Sequence, residues 1–302
     1  MPIRIQSDLP ARQTLEKENI FVMTEKRASM QDIRPLKIAI VNLMPTKETT
    51  ETQLLRLLGN TPLQIDISLI RMENHESKNT DPSYLDRFYI PSSELFKQKF
   101  DGMIITGAPV EQMEFEEVDY WKELCTIMDY AHTNVYSTLF LCWGCFAGLY
   151  HNYGIKKYPL ERKMSGIFMN ERTVDGEPLL RGFDDTFPIP QSRHTTIHKE
   201  DILQNTKLQI LAESAEAGVT IIKSKDNREI FMTGHLEYDT MTLSDEYWRD
   251  TDKGLKMPLP KNYFPTNNIN RMPTSYWRAT AHLFYSNWLN YYVYQETPFN
   301  FI

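Results

Sequence analysis

Residues 137–150 have the sequence STLFLCWGCFAGLY, the strongest structural signal in the chain. The apolar residues up to Leu141 predict a buried strand, and the glycines that follow predict a sharp turn into a helix. Such a turn places the side chain of Cys142 at the carboxyl end of a parallel strand. The first amides of the next helix, at its positive dipole end, favour a thiolate over a thiol there. Cys142 is therefore the candidate nucleophile.

Two other interpretations of Cys142 stay open at this point. A cysteine among apolar residues is commonly an inert core side chain. The spacing Cys142-x-x-Cys145 also occurs in redox and zinc sites, although one such pair supplies only two ligands. The sequence has no second cluster of cysteine and histidine at zinc-like spacing, so we predict no metal.

The composition argues against several classes of function. The chain has 302 residues, enough for one large α/β domain or two modest ones. Its formal net charge of −7, without a basic stripe, argues against nucleic acid as a partner. Only three cysteines occur, and no signal-peptide core or membrane-length apolar run is present. We therefore expect a cytoplasmic protein that does not enter a membrane.

The pattern along the chain predicts an N-terminal arm over 1–34 and a single α/β catalytic domain over 35–302. The arm has prolines, mixed charges and no sustained period. Apolar runs at 36–45, 63–70 and 101–109 predict parallel strands that are covered on both faces. Later segments alternate short apolar runs with turn residues, which predicts a small antiparallel element within the same fold.

Helices are predicted between these strands and at the end of the chain. A leucine-rich helix follows the first strand, with Lys47 in the connecting loop, where a cation can meet an anionic ligand. A solvated lysine is the alternative interpretation. Further helices are predicted near 93–99, after a cap at Ser244, and over 274–295, whose aromatic stripe indicates core or dimer contacts.

A second informative segment supplies a partner for the thiol. His235 follows a buried run, which places it at the same sheet edge as Cys142. Imidazole can deprotonate a nucleophile and protonate a leaving group near neutral pH. Glu237, two residues later, can bind the far ring nitrogen and fix its orientation. His-x-Glu is common by chance, but together with the elbow it predicts a Cys/His/Glu triad.

This arrangement resembles the class I glutamine amidotransferases. The resemblance implies a flavodoxin-like three-layer α/β sandwich with a mostly parallel sheet. The chain departs from the glutaminase pattern, because it has no glycine two residues before the nucleophile and no glutamine after Gly144. Leu236 also stands where a proline is usual. A glutamine amidotransferase-like hydrolase therefore remains only a distant alternative.

The closer resemblance is to the homoserine O-acyltransferases of methionine biosynthesis, and it extends over essentially the whole chain. It is carried by the ordered blocks KIAIVNLMPTKETTETQLLRLL, ITGAPVE, LCWGCFAGLYHNYGI, MSGIF, PQSRHT, MTGHLEYD and DEYWRD. It implies that Cys142 takes an acyl group from a coenzyme A thioester and passes it to the hydroxyl of homoserine. Backbone amides near Trp143 and at the Gly107 turn would hold the oxyanion. No permanently bound cofactor and a homodimer are also implied.

The resemblance further implies which residues contact the substrate. Lys163, Ser192 and Arg249 carry this role in the family, and all three are present. Glu246 and Arg249 are three residues apart on one predicted helix, so their charges share a face. That pair suits the ammonium and carboxylate of an amino acid. A surface salt bridge between them is the alternative.

Glu111, in the loop after ITGAP, bears on which acyl group is used. In the family a glutamate at this position goes with acetyl transfer, and a glycine goes with succinyl transfer. A glutamate would repel and crowd the terminal carboxylate of a succinyl group, whereas an acetyl group avoids both effects. We therefore expect transfer from acetyl-CoA to give O-acetylhomoserine, with succinyl-CoA as the alternative donor. The other interpretation makes Glu111 the first solvated residue of an acidic run.

Overall fold

The predicted apolar runs are strands of one mixed sheet. The computed structural model describes residues 3–6, 8–18, 22–23, 34–75, 77 and 79–298. The strands are β1 (Ile3–Arg4), β2 (Val22–Met23), β3 (Leu36–Val41), β4 (Ile65–Arg71), β5 (Tyr89–Pro91), β6 (Phe100–Ile105), β7 (Val135–Leu141), β8 (Tyr158–Arg172), β9 (Thr186–Thr196), β10 (Leu208–Ser214), β11 (Gly218–Ser224) and β12 (Glu229–Met232).

Helices connect most of these strands. The α-helices are α1 (Ala11–Lys17), α2 (Lys47–Leu58), α3 (Pro82–Phe88), α4 (Ser92–Leu95), α5 (Trp121–Asn134), α6 (Trp143–Tyr153), α7 (Lys199–Gln204), α8 (Thr242–Asp252) and α9 (Arg278–Asn287), which continues as a π-helical segment (Trp288–Tyr294). Short 3-10 turns lie at Phe115–Glu117, Pro178–Leu180 and Pro265–Asn267. Within the described ranges, no helix is both long and apolar enough to cross a membrane.

The strand order explains which residues meet at the sheet edge. The order is β2-β1-β4-β3-β6-β7-β12-β11-β10-β8-β9, and β5 pairs with β4. The strands from β2 through β12 in this order are parallel to their neighbours, as is β5. The pairs from β12 to β9 are antiparallel, as predicted for the later segments. The ends of β7 and β12 lie side by side, with Leu141 opposite Met232.

Alternate side chains of the central strands enter two separate cores. Ile38 and Ile40 of β3 pack in one core with residues of α2 and α9. Ala39 and Val41 of the same strand pack in the other core with residues of α5 and α6. A sheet covered on both faces in this way is the predicted three-layer α/β sandwich, and the mostly parallel sheet is confirmed.

The described part of the N-terminal arm packs on the domain. Strand β1 pairs with β4, and Leu9 and Leu15 are buried in the same core as the leucines of α2. Residues 24–33 of the arm lie outside the described residues. The division at residue 34 and the single domain after it stay predictions.

Thr46, one of two predicted caps, is the N-cap of α2, but the placement of Lys47 and the predicted cap at Ser244 were wrong. Lys47 is the first residue of α2 and not part of the preceding loop, because Thr46 takes the N-cap position. Ser244 is the third residue of α8, because the turn that begins at Asp239 places the N-cap at Met241. Neither Thr46 nor Met241 caps its helix through a side-chain hydrogen bond.

Two predicted helix extents also differ. The helix near 93–99 is the single turn α4, which ends at Leu95 and continues as short-range turns. The closing helix begins only at Arg278, because the Trp277 indole donates to the Tyr238 carbonyl and holds the N-cap position. It turns π-helical at Trp288, whose indole donates to Ser137 Oγ at 2.9 Å.

Candidate active site

Cys142 occupies a strained elbow between β7 and α6. Its backbone has φ 47° and ψ −113°, a conformation that non-glycine residues rarely adopt. The helix starts immediately after it and packs closely on the end of β6. A Cβ on Gly144 would stand only 2.6 Å from the Thr106 carbonyl oxygen, so only glycine fits there. The predicted nucleophile elbow is therefore present in the structure.

The structure brings Cys142, His235 and Glu237 together. His235 lies three residues beyond the end of β12, where its amide donates to the Pro190 carbonyl at 2.9 Å. Its ring is close enough to the Cys142 thiol for the two groups to shift each other's pKa. Its Nδ1 lies 2.6 Å from Glu237 Oε1. All three side chains are buried, so the contacts are shielded from water.

Burial changes how the thiol is activated. It raises the pKa of the Cys142 thiol, and the attraction of His235 opposes that rise only in part. Burial by itself would lower the pKa of His235, but the charges of Cys142 and Glu237 raise it well above its usual value. Burial thus works against a thiolate at Cys142, and His235 is the neighbouring group whose charge favours one.

Gly107 and the Trp143 amide lie close to the Cys142 side chain. A Cβ on Gly107 would be 3.2 Å from Cys142 Cβ, 3.8 Å from its Sγ and 3.7 Å from the Trp143 backbone nitrogen. The bare backbone of Gly107 therefore comes close to both the nucleophile and the first amide of α6. Helix-start amides lack partners within their helix and are free to bind an anion.

Ser192 links the nucleophile to a carboxylate on α8. Its carbonyl oxygen lies 3.9 Å from Cys142 Sγ, and its hydroxyl donates to Glu246. The Tyr238 hydroxyl donates to the other oxygen of Glu246 at 2.8 Å. The Tyr238 ring in turn stacks on His235, with centroids 4.1 Å apart. Glu246 is thus connected to Cys142 through Ser192 and to His235 through Tyr238.

Lys163 and Arg249 bind the same carboxylate. Lys163 Nζ lies 3.0 Å from Asp250 Oδ2 and 3.6 Å from Glu246 Oε2. Arg249 pairs with Asp250 at 2.8 Å and keeps a side chain that is 53% exposed. The alternative interpretation paired Arg249 with Glu246 in a surface salt bridge, but in the structure Arg249 pairs with Asp250. The cluster presents anionic and cationic groups together, as recognition of an amino acid requires.

Glu111 is only partly exposed and is anchored next to this site, so it is not a fully solvated residue. Its Oε2 accepts from the His194 amide at 2.5 Å. Burial raises the pKa of its carboxyl, and that hydrogen bond and the charges of His194, His235 and Lys163 oppose the rise. The charges of His235 and Lys163 therefore both act on Glu111, one from the triad and one from the group around Glu246.

Lys47 differs from its predicted setting. Its side chain is buried, and Nζ donates to the Asn42 carbonyl at 2.6 Å. Burial lowers the pKa of Lys47 to about 8, partly offset by the charge of Glu51. Lys47 therefore lies at the start of α2, with its ammonium group at the end of β3, and is not a freely solvated side chain.

A family model described as homoserine O-succinyltransferase matches residues 2–299. The chain belongs to this family. Similar proteins include the homoserine O-acetyltransferases of Lachnoclostridium phytofermentans and Acetivibrio thermocellus, which are 59% and 58% identical to it. These alignments cover 99% of this chain and 99% and 98% of the two relatives. A homoserine O-acetyltransferase of Bacillus cereus is 56% identical, with 99% of both chains covered.

Solved structures of glutamine amidotransferases share the fold at low identity. One from Thermotoga maritima has a TM-score of 0.57 and 12% identity, and covers 85% of this chain and 98% of its own. One from Methylobacillus flagellatus has a TM-score of 0.54 and 11% identity, and covers 86% and 95%. The family and the amidotransferase-like fold inferred from the sequence blocks are both confirmed.

This member of the homoserine O-succinyltransferase family also contains site residues that sequence reasoning missed. Tyr238 supports both His235 and Glu246, and Asp250 holds both Lys163 and Arg249. Each directly follows a predicted site residue in the blocks MTGHLEYD and DEYWRD. That adjacency was the available signal.

Cys145, the second cysteine of the Cys-x-x-Cys segment, is buried. Cys142 and Cys145 are both free cysteines, and burial raises the pKa of Cys145 well above its usual value. A buried neutral thiol is a poor nucleophile in thiol–disulfide exchange. Within the part of the chain that the structure describes, no group of three or more metal-binding side chains comes together.

Proposed function

We propose that this chain transfers the acetyl group of acetyl-CoA to the hydroxyl of L-homoserine through an acyl-enzyme on Cys142. The observation that carries the proposal is the buried Cys142–His235–Glu237 arrangement beside the Lys163–Glu246–Asp250 cluster. The first group suits acyl transfer, and the second suits an amino-acid acceptor. The family and its acetyltransferase relatives support the same activity.

The first half-reaction loads the nucleophile. His235 takes the thiol proton, and Cys142 Sγ attacks the carbonyl carbon of the thioester. The oxyanion that forms is stabilised by amides near Gly107 and Trp143. The bond to the coenzyme A sulfur then breaks, and His235 returns the proton to that leaving thiolate. Glu237 stabilises the imidazolium while it carries the proton.

The second half-reaction transfers the acyl group. The homoserine hydroxyl gives its proton to His235 and attacks the carbonyl carbon of the thioester on Cys142. The carbon–sulfur bond breaks, and His235 returns the proton to Cys142. The homoserine ammonium is bound by Glu246 and its carboxylate by Lys163 and Arg249, which keeps the hydroxyl directed at Cys142. Ser192 fixes the position of Glu246.

Glu111 selects the acetyl donor within this proposal. Its carboxylate interacts with His235 and is anchored to the His194 amide, so it has little freedom to move aside. The terminal carboxylate of a succinyl group would have to share this partly dry space with a like charge. Repulsion of this kind costs on the order of a few kcal/mol, whereas a methyl group avoids it.

The test combines intact-mass measurement with donor competition. Incubation of the wild type with acetyl-CoA, without homoserine, should add one acetyl group, and Cys142→Ala should add none. With homoserine present, wild type should prefer acetyl-CoA, and Glu111→Gly should shift toward succinyl-CoA. Glutamine hydrolysis without acyl transfer would refute the proposal. A wild type that prefers succinyl-CoA would refute the donor assignment alone. The homodimer, the cytoplasmic location and the absence of a bound cofactor stay predictions.

A further inference from the structure

A cleft of about 300 Å³ opens where β3 and β4 end. It is called the β3–β4 cleft here and is defined by Asn42, Lys47, Arg71, His75, Pro109 and Val110. The steps proposed above do not use it. Its volume lies at the lower end of the range for small-molecule sites, roughly 300–1,000 Å³. It can therefore hold a slender ligand or one arm of a larger one.

The cleft is lined by part of the loop that passes Cys142. Pro109 and Val110 form one wall, and they lie in the loop that begins at Gly107 beside Cys142 Sγ and reaches Glu111. Leu43, on the opposite wall, contacts the residue just before this loop, because its amide donates to Thr106 Oγ1 at 2.8 Å. The cleft and the Cys142 side chain are therefore connected by one short loop.

The charges of the cleft vary along its length. Lys47 is buried at the inner part, Arg71 has a side chain that is 33% exposed, and His75 lies at the exposed rim. Arg71 Nη2 pairs with Asp86, but its buried Nε has no hydrogen-bond partner among the described residues. His75 Nδ1 binds Asp119, which leaves Nε2 available. The outer cleft thus offers donors to an anion, and its walls are partly apolar.

A coenzyme A thioester has the matching chemistry. Its pantetheine arm is slender, with amide groups and apolar carbons, and its diphosphate carries negative charge at the far end from sulfur. Guanidinium groups are suited to phosphate oxygens. The proposed homoserine groups lie on β8, β9 and α8, on the other side of Cys142 in the strand order. The cleft therefore approaches Cys142 from the side that the acceptor leaves open.

We propose that the β3–β4 cleft binds the pantetheine arm of the acyl donor, with the diphosphate at Arg71 and His75. This inference rests on the proposed function, because it assigns the donor of the same reaction. The two substrates then reach Cys142 from opposite sides of β7. The acyl group enters past Gly107, and homoserine enters past Ser192.

The experiment compares a complete donor with a truncated one. Acetyl-CoA and S-acetyl-N-acetylcysteamine carry the same reacting thioester, but the second lacks the diphosphate. In Arg71→Gln the KM for acetyl-CoA should rise about tenfold, and in His75→Gln about threefold, because charge-assisted bonds to phosphate are lost. The KM for homoserine and the rate with the truncated thioester should stay at wild-type values in both variants.

Arg172→Gln is the matched control. Arg172 has a side chain that is 31% exposed and pairs with an exposed aspartate, Asp185, as Arg71 does with Asp86. It lies on β8, outside the cleft, so its donor kinetics should match wild type. Thermal melting of all variants checks folding, and His75→Gln at the exposed rim provides a second variant should Arg71→Gln be destabilised.

The outcomes separate this inference from the proposed function. An unchanged KM for acetyl-CoA in Arg71→Gln and His75→Gln would overturn the cleft assignment while acetyl transfer stands. An equal loss with both donors would overturn it too, because a phosphate contact cannot affect the truncated thioester. Should wild type transfer no acetyl group, the proposed function fails. Coenzyme A binding to Cys142→Ala, measured by calorimetry, then tests the cleft alone, with tenfold weaker binding expected when Arg71→Gln is added.

Discussion

Replacing Glu237 by glutamine removes one buried negative charge and nearly preserves the shape of the triad. Glu237 Oε1 lies 2.6 Å from His235 Nδ1, and both side chains are buried. An amide oxygen can still accept that hydrogen bond. The amide nitrogen takes the place of Oε2, which has no hydrogen-bond partner in the described structure. The variant Glu237→Gln therefore isolates the effect of the charge on His235.

The magnitude follows from the contact. A hydrogen bond to a charged group contributes roughly 1.5–3 kcal/mol, and this bond matters most when His235 carries the extra proton. Loss of that stabilisation in the transition state lowers kcat/KM by about 10- to 160-fold. Glu237 also raises the pKa of both Cys142 and His235. Removing its charge makes either group lose its proton more readily.

The assay is the pH profile of kcat/KM for the acyl donor. In Glu237→Gln the acid limb should move to lower pH. This holds whichever of Cys142 and His235 loses the first proton, because Glu237 raises the pKa of both. Glu229→Gln is the control, because Glu229 is also a buried carboxylate but accepts from Asn152 and Tyr153, away from the triad. That variant should lose stability and keep the wild-type acid limb. An acid limb that stays in place or moves upward in Glu237→Gln would refute the assigned role.

Four further predictions test other parts of the site and fold. Arg249→Ala should raise the KM for homoserine about tenfold, while intact mass still shows the acyl-enzyme; loss of acylation would contradict the assignment. Burial raises the pKa of Glu111, so the preference for acetyl-CoA over succinyl-CoA should weaken as the pH falls and this carboxyl loses its charge. In donor competition, the preference of Glu111→Gln should not change with pH in this way. Burial lowers the pKa of Lys47 to about 8, so wild type should gain stability relative to Lys47→Met as the pH rises from about 8 to 10. Urea unfolding at both pH values measures this, and a constant difference would exclude it. Arg34→Ala leaves the buried Asp101 carboxylate without its guanidinium, 2.8 Å away in wild type, and should cost about 3 kcal/mol in urea unfolding; a loss below 1 kcal/mol would contradict this.

Local patterns were enough to predict the elbow and the partners of the thiol. An apolar run of strand length, a cysteine and closely spaced glycines are all contiguous, so the strand, the turn at Cys142 and α6 follow from one segment. His235 and Glu237 could be added because parallel strands end at the same sheet edge. The pairing of Leu141 with Met232 confirms that edge.

The contacts that orient the substrate groups could not be predicted in the same way. Helical spacing placed Glu246 and Arg249 on one face, with a salt bridge between them as the alternative interpretation. In the structure, three groups from other segments bind Glu246: Ser192, Tyr238 and Lys163. Arg249 then pairs with Asp250. Such competition depends on which side chains the tertiary fold brings together, and sequence spacing carries no information on that.

The activation of Cys142 shows most clearly where the local argument ends. The helix N-terminus predicted a thiolate, and the elbow does direct the thiol to the start of α6. The same packing buries the sulfur and raises its pKa, because the desolvation outweighs what the nearby positive charge of His235 restores. The elbow therefore fixes the position of the nucleophile, while its charge depends on His235 and Glu237, which arrive on a different strand. Glu237→Gln distinguishes these contributions, since it leaves the elbow intact and removes only the charge that supports the protonated imidazole.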